Sequence, residues 1–340
     1  MLPTMRAIDL LVLVGVLVGP TAGAAVRTTQ ELQAAVQGAL PGAVIEVMPG
    51  LYDLPGPLVL AQPGPVTLRG MGRPEETSLV VGGNREVVRV LAPGWTLSRL
   101  TLRGGIGIRV EEEGDGLRLD ALRIIDAQLG IELGAPTDLL CSLSGLVFSN
   151  NVLANIRTDA IQLNSVCDIQ ILHHTVWNVG RPLLVQGMSR PPRLVNNLWS
   201  APVPVAGEGD LILPVPAFAG WFVSTARLDL RLVRGSPAVD RGVAAPVPHD
   251  ADGRRRPLGA APDVGAYELD PSAGGDMSGQ DGSAVGATVP MGGSTSSQGR
   301  LREGGISCAA TPGSGPNGPS WAAALLLALV FALRHRVLGR

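Results

Sequence analysis

The sequence predicts an all-β protein, a parallel β-helix in which each coil buries its apolar face by stacking on its neighbours. A unit of apolar strand, polar corner and apolar strand recurs along the chain, with successive units beginning near Trp95, Leu117, Cys141, Cys167 and Pro192. These spacings lie within the period of roughly 20–45 residues that is typical of solenoids. Within the repeats, apolar and polar residues alternate, which favours strands over helices. Examples are Val88-Arg89-Val90 and Ile161-Gln162-Leu163.

A short helix is predicted ahead of the first strand. Thr28 and Glu31 have the spacing of a capping box, in which each side chain bonds the backbone of the other residue. The residues that follow place an apolar stripe on one helical face, formed by Leu32, Ala35, Val36 and Ala39. We expect this helix to cover the N-terminal end of the β-helix, because exposed strand edges invite pairing with other chains.

Residues 1–24 are typical of a secretory signal peptide. Arg6 supplies a positive charge, residues 10–19 form an apolar segment, and Ala22-Gly23-Ala24 forms a cleavage site of small residues. The sequence therefore predicts export of a chain that begins at Ala25. An uncleaved membrane anchor is the alternative that the same residues leave open.

The C-terminal residues predict a linker and an anchor after a β-helix domain of residues 25–270. Residues 271–307 are rich in Gly, Ser, Thr and Asp, as flexible linkers are. Residues 308–340 begin with Cys308, continue to an apolar run at 321–333 and end in arginines. At about 1.5 Å per residue this run spans roughly 20 Å, less than a bilayer core of about 30 Å.

This layout resembles the Myxo-CTERM sorting tail of bacteria. The resemblance implies that Cys308 is the processing or lipid-attachment site and that the export sorting machinery is a partner. The alternative is a tilted C-terminal membrane helix. Both interpretations place the protein at the cell surface, in contact with a membrane through its C-terminal segment.

The composition excludes several classes of function. A formal net charge of −2 without a basic stripe argues against a nucleic-acid partner. All 27 basic residues are arginines, so no lysine is present to act as a base or to form a Schiff base. The sequence has no metal-ligand spacing of Cys, His or carboxylates and predicts neither a metal site nor a cofactor, with calcium left open.

Two cysteines begin consecutive repeats. Cys141 and Cys167 are one period apart, so they are expected to lie on adjacent coils, whose strands are about 4.8 Å apart. A disulfide is within reach at that spacing and is compatible with export. Two buried free thiols are the alternative.

Several segments resemble the pectin-lyase-like, right-handed β-helix proteins. The segment ELQAAVQGALPGAVIEVMPGLYDL is similar to their entry coil, and FSNNVLAN, LHHTVWN and LVNNLWS are similar to their asparagine-bearing corners. RLVRGSPAVDRG and DADGRRRPLGAAPDVGAYEL resemble the closing segment of the choice-of-anchor Q type, whose members are secreted and end in a sorting tail. The resemblance covers residues 28–270 and implies a right-handed β-helix at the cell surface. Because the family mixes polysaccharide lyases with members of no known reaction, it does not imply one activity.

The alternation predicts which side chains face outward on one sheet. Val88, Ile106, Ile131 and similar residues are aligned as inward residues, which places Gly107 with Arg89, Glu132 and Gln162 in one outward column. Arg109, Asn164 and Gln186 follow one column further. Such a mixture of charges and amides suits a glycan-binding groove. An ordinary solvated sheet face is the alternative.

A second set of polar residues aligns at the corners. Asn150, His174 and Asn196 follow each other at close to one repeat length, which predicts a hydrogen-bonded ladder that satisfies backbone groups at each turn. The other interpretation makes His174 a general base, because an imidazole titrates in the required range.

Together these features predict an exported, surface-anchored β-helix protein for display, adhesion or polysaccharide binding. The alternative is a polysaccharide lyase or hydrolase, in which the catalytic residues are Arg109, Glu132 and His174 and the substrate-binding residues are Arg89, Gln162, Asn164 and Gln186. Related lyases use Lys or Arg as the base, and no such catalytic motif is intact in this sequence. A purely structural envelope component is a third hypothesis.

Overall fold

The computed structural model describes residues 25–135, 140–205, 207–213 and 220–269. The predicted signal peptide, linker and anchor, including Cys308, lie outside these residues. Within the described ranges, no helix combines the length and apolar content needed to cross a bilayer.

The described residues form one α-helix, a short 3₁₀ turn at Pro74–Glu76 and 21 β-strands. In chain order the helix and strands are α1 (Thr29–Gln37), β1 (Val44–Val47), β2 (Gly50–Leu54), β3 (Leu58–Leu60), β4 (Val66–Gly70), β5 (Thr77–Val81), β6 (Glu86–Val90), β7 (Trp95–Ser98), β8 (Thr101–Arg103), β9 (Ile106–Val110), β10 (Arg118–Asp120), β11 (Arg123–Ile125), β12 (Leu129–Leu133), β13 (Leu146–Ser149), β14 (Val152–Asn164), β15 (Ile169–Leu172), β16 (Thr175–Gln186), β17 (Arg193–Val195), β18 (Leu198–Trp199), β19 (Leu211–Ile212), β20 (Phe222–Ser224) and β21 (Asp229–Leu232).

Strands β1 to β19 form a right-handed parallel β-helix, which confirms the predicted fold, and β20 and β21 pair separately as an antiparallel two-stranded sheet. The first strands of successive coils pair in parallel as a seven-stranded sheet, in the order β1-β4-β7-β10-β13-β15-β17. A 12-stranded sheet holds the second and third strands of the coils. The long strands β14 and β16 run through both of these series, so the two series are continuous in that part of the molecule. We call the seven-stranded sheet the first series and the row of β2, β5, β8, β11 and the N-terminal parts of β14 and β16 the second series. The row that contains β6, β9, β12 and the C-terminal parts of β14 and β16 is the third series.

The core of the β-helix is built by the predicted alternation. Inward residues of consecutive coils, such as Ile108, Ile131 and Ile161, stack directly on one another and are fully buried. Burial of each such side chain contributes about 1.5–3 kcal/mol. Because successive side chains of a strand point to opposite faces of the sheet, the residues on either side of each inward residue face outward.

The N-terminal cap forms as the sequence predicts. The Thr28 side chain accepts a hydrogen bond from the Glu31 backbone, and the Glu31 carboxylate accepts one from the Thr28 backbone. Leu32 and Val36 of α1 are buried against the first coil, so the helix covers the apolar end of the solenoid.

Residues 220–269 pack on the outside of the β-helix. Phe222, Leu230 and Tyr267 join a second apolar cluster with outward residues of the second series, including Val152 and Leu198. Two arginines fix this closing segment: Arg231 contacts Glu75 of an early coil, and Arg256 donates to Asn150 at a coil corner. The segment therefore covers outward residues of the second series and the adjacent coil corner.

Cys141 and Cys167 are joined by a disulfide, with Cα atoms 5.1 Å apart. The bond links consecutive coils and closes a loop with a sequence separation of 26 residues.

Candidate functional site

A column of polar side chains crosses the outer surface of the third series. Arg89, Arg109, Glu132 and Gln162 occupy directly paired positions on β6, β9, β12 and β14. Their neighbours in each strand are buried, whereas these four side chains are partly exposed. We call this row the polar column; it brings together four of the residues predicted from the sequence.

The register of this column corrects the sequence-based alignment at one coil. Arg109 lies directly beside Arg89, not one column further, and Gly107 faces inward. The tight turn at Gly104-Gly105 is the reason. A Cβ atom on Gly105 would lie 2.4 Å from the carbonyl carbon of Asn84, so only glycine allows the chain to turn this closely.

Each arginine of the polar column contacts a carboxylate. Arg89 pairs with Glu86, three residues earlier on the same strand, and the Arg109 Nη2 atom lies 2.9 Å from the Glu132 Oε2 atom. Burial acts to raise the pKa of Glu86. The hydrogen bonds it accepts and the charges of Arg89 and Arg109 outweigh burial and hold that pKa below its ordinary value. The positive charges of the column are thus matched by carboxylates.

Amides continue the site beyond these ion pairs. The Nε2 atoms of Gln162 and Gln186 both donate to the Asn164 Oδ1 atom, at 3.2 and 2.5 Å. The Asn164 Nδ2 atom donates to the Gly134 carbonyl at 3.2 Å, which fixes the orientation of this amide. Asn164 is fully buried, so it positions the two glutamines and does not itself reach solvent.

An Asp–Arg pair next to the polar column was not predicted from the sequence to be a binding group. Asp159 and Arg181 are paired across β14 and β16, and the Arg181 Nε atom donates to the Asp159 Oδ1 atom at 2.5 Å. This hydrogen bond raises the pKa of Arg181. A register shift between Ile156 and Asp159 interrupts the alternation here, so the period-two pattern gives no signal for the direction of either side chain.

His174 does not belong to the polar column. It is fully buried at the corner between β15 and β16, where its Nε2 atom is 3.2 Å from the Asn151 Nδ2 atom and its Nδ1 atom is 3.1 Å from the Leu172 carbonyl oxygen. Asn197 accepts a hydrogen bond from the His174 backbone. The structure therefore does not bring His174 to Arg109 and Glu132, and its position fits the ladder role and not that of a general base.

The ladder has a different register from the predicted one. Asn151, His174 and Asn197 form one column, and Asn150, His173 and Asn196 form the other. The sequence-based alignment of His174 with Asn150 and Asn196 was wrong by one position. Asn150, His173 and Asn196 all have a positive φ near 55°, which marks them as the equivalent corner residue of each coil.

The two histidines are held neutral by their surroundings. Burial lowers the pKa of His174 to about 4. Burial, followed by the nearby charge of Arg256, lowers the pKa of His173 to about 3. Neither imidazole is poised to exchange a proton near neutral pH.

The described residues contain no group of three or more His, Cys, Asp and Glu side chains that is arranged to hold a metal ion. Chemically, the polar column and the Asp159–Arg181 pair offer hydrogen-bond donors and acceptors on a solvent-facing surface. This fold and this surface define a parallel β-helix protein with a candidate polar binding face.

Comparison with known proteins gives structural neighbours only. No protein-family model matches the chain, and no curated protein matches it significantly. The chain is similar to the alginate lyase from Paenibacillus sp. str. FPU-7, with 14% identity, a TM-score of 0.30 and coverage of 49% of this chain and 98% of the lyase. It is also similar to the pectate lyase Pel9A, with 14% identity, a TM-score of 0.35 and coverage of 69% and 90%. Neither likeness assigns an activity to this chain.

Proposed function

We propose that the protein is an exported, surface-anchored β-helix protein that binds a neutral polysaccharide along the polar column. The observation that carries this proposal is the pairing of charges on the column. Arg89 and Arg109 each contact a glutamate, and the row then continues as the amide of Gln162.

The pairing favours a neutral ligand over an acidic one. A polysaccharide rich in uronates brings a carboxylate with each acidic sugar, and each carboxylate needs a cation to offset its loss of water. On the polar column the arginine charges are already offset by Glu86 and Glu132. Sugar hydroxyl groups carry no charge, and they bond equally well to the remaining guanidinium donors and to carboxylate oxygens.

The glutamines supply acceptors of fixed orientation. Gln162 and Gln186 each use Nε2 to reach Asn164, and within the described residues neither Oε1 atom has a hydrogen-bond partner. Both Oε1 atoms are thus available to hydroxyl groups of a ligand. Pre-ordered side chains lower the entropy that binding costs, so Asn164 acts in the proposal as a positioning residue.

The cellular location is part of the proposal and rests on the sequence. The signal-like residues 1–24 support export, and Cys308 with the apolar and arginine-rich residues after it supports anchoring at the surface by sorting machinery or membrane insertion. The choice-of-anchor Q resemblance supports the same location. A glycan of the cell envelope or of the surroundings is accordingly the expected partner.

Catalysis and cofactors are not part of the proposal. Arginine side chains stay protonated in proteins, so Arg109 beside Glu132 is poorly suited to remove a proton. His174 is buried away from the column. We therefore propose binding without product release and without calcium.

The test uses the purified full-length protein and native gels that contain one polysaccharide each. Xylan, galactomannan and a soluble β-glucan serve as neutral ligands, and alginate and polygalacturonate serve as acidic ones. We expect at least one neutral polysaccharide to retard the protein, with or without EDTA, and no new ultraviolet absorbance from unsaturated uronates. Retardation by the acidic polysaccharides alone, or a rise in that absorbance, would contradict the proposal.

A further inference from the structure

A shallow pocket lies beside the polar column, on β16 and on β14, the strand that carries Gln162 of that column. Asp159 of β14 and Arg181 of β16 line it together with five further residues, and its volume is about 440 Å³. The other lining residues are Thr158, Gly180, Pro182, Ala201 and Pro202. Pockets that hold small organic ligands have volumes of about 300–1,000 Å³, so this one has room for a single sugar unit.

The position of the pocket connects it to the column. Asp159 is three residues before Gln162, and Arg181 is three residues before Leu184, which pairs with Gln162. At about 3.3 Å per strand residue, the pocket lies roughly 10 Å along the strands from the column. A short oligosaccharide bound on the column spans that distance.

The pocket combines one acceptor and several donors at fixed positions. The Asp159 Oδ1 atom is occupied by the Arg181 Nε atom. Among the residues that the structure describes, the Asp159 Oδ2 atom and both Arg181 Nη atoms have no hydrogen-bond partner. The Asp159 side chain is 9% exposed and is held by its hydrogen bond to Arg181, whereas the Arg181 side chain is 52% exposed and accessible.

This arrangement suits two neighbouring hydroxyl groups. One hydroxyl donates its proton to Asp159 Oδ2, and the oxygen of the next accepts a proton from an Arg181 Nη group. The ion pair is neutral overall, which matches an uncharged sugar. Pro182, Ala201 and Pro202 add an apolar wall against which the C–H face of a sugar ring packs.

We propose that this pocket, which we call the Asp159 pocket, binds one pyranose unit of the bound glycan through a pair of adjacent hydroxyl groups. The inference rests on the proposed polysaccharide binding and adds a specificity-determining subsite to it. Close approach of the two strands at this point requires Gly180, because a Cβ atom there would lie 2.5 Å from the Arg157 carbonyl oxygen.

The experiment titrates the full-length protein with cellohexaose, mannohexaose and xylohexaose, whose internal units carry adjacent 2- and 3-hydroxyl groups. Asp159→Asn removes the carboxylate charge at nearly constant shape, and Ala201→Phe reduces the volume of the pocket while both residues of the ion pair are retained. The control is Glu46→Gln, which breaks the exposed ion pair to Arg69 on the first strand series. Unchanged thermal melting of each variant shows that the fold is kept.

We expect both pocket variants to bind at least one hexasaccharide about tenfold more weakly than the wild type, the factor that corresponds to losing one hydrogen bond to a charged group. The Glu46→Gln variant should keep the wild-type affinity. Wild-type affinity in either pocket variant would contradict the proposed role of the Asp159 pocket, but not the proposed binding along the polar column. Absence of binding by the wild type to all three hexasaccharides would overturn the column and the pocket together.

Discussion

Replacing Arg256 by methionine is expected to lower the free energy of unfolding by about 3–5 kcal/mol, the cost of removing one partner from a buried ion pair. The Arg256 and Glu268 side chains are only 2% and 1% exposed, and the Arg256 Nη1 atom donates to the Glu268 Oε1 atom at 2.5 Å. Without the guanidinium, the Glu268 carboxylate stays buried with no opposite charge in contact.

The same arginine joins the closing segment to the β-helix. Its Nη2 atom donates to the Gly265 carbonyl at 2.8 Å and to the Asn150 Oδ1 atom at 3.2 Å, and Asn150 is a corner residue of the coils. Arg256→Met therefore removes bonds on both sides of this contact. Loss of the packed segment would also expose the second apolar cluster.

Urea unfolding at pH 7 measures this effect. Arg254→Met is the matched control, because Arg254 is 33% exposed and its carboxylate contact to Asp252 is 4.0 Å long; we expect a change within about 1 kcal/mol. Equal losses in Arg256→Met and Arg254→Met would contradict the account.

Acidification from pH 7 to pH 4 is expected to cost about 3 kcal/mol of stability through His174 alone, because each pKa unit corresponds to about 1.4 kcal/mol. The pKa of His174 is about 4 in the folded protein and 6.5 in the unfolded chain. Because the unfolded chain binds the proton first, this contribution is complete above pH 6.5 and is lost as the pH falls towards 4.

The hydrogen bonds of His174 explain why the folded protein resists protonation. The Asn151 Oδ1 atom accepts from the Leu122 backbone, so the Asn151 Nδ2 atom must donate to the His174 Nε2 atom. The Nδ1 atom then carries the imidazole proton and donates to the Leu172 carbonyl. A second proton on Nε2 would face the N–H group of Asn151, and the fully buried ring is not exposed to solvent that could compensate.

The measurement compares wild type with His174→Asn by urea unfolding at pH 7 and pH 4. Asparagine is the residue of the adjacent ladder positions, Asn151 and Asn197, so it fits the corner. The variant should lose about 3 kcal/mol less than the wild type on acidification. Burial raises the pKa of Asp263 to about 6, which acts in the opposite direction, but this effect is common to both proteins and cancels. Identical losses in the two proteins would refute the role of His174.

The sequence predicts the elements of the fold that depend on local pattern. The capping box at Thr28 and the alternation in β6, β12 and β14 depend on neighbours in the chain, and both appear in the structure. Registers between coils depend on turn lengths, which is why the sequence-based alignment placed Arg109 two residues, and His174 one residue, from its true register.

Contacts between distant parts of the chain were not predictable. The Arg256–Asn150 bond joins residues 106 positions apart, and no periodic signal relates them. The Asp159 pocket depends on the register shift after Ile156, which the alternation conceals. The ion pair between Glu86 and Arg89 was predictable from the sequence, since Glu86 is three residues before Arg89 on the same strand.

The most direct test of the polar column is a calorimetric titration of the Gln162→Leu variant. The ligand is the neutral polysaccharide that the wild type binds. Gln170→Leu is the control, an amide of the seven-stranded sheet that bonds Arg193 at 2.9 Å. Binding along the polar column predicts about tenfold weaker affinity for Gln162→Leu and wild-type affinity for Gln170→Leu. Wild-type affinity in Gln162→Leu would contradict the proposed binding face.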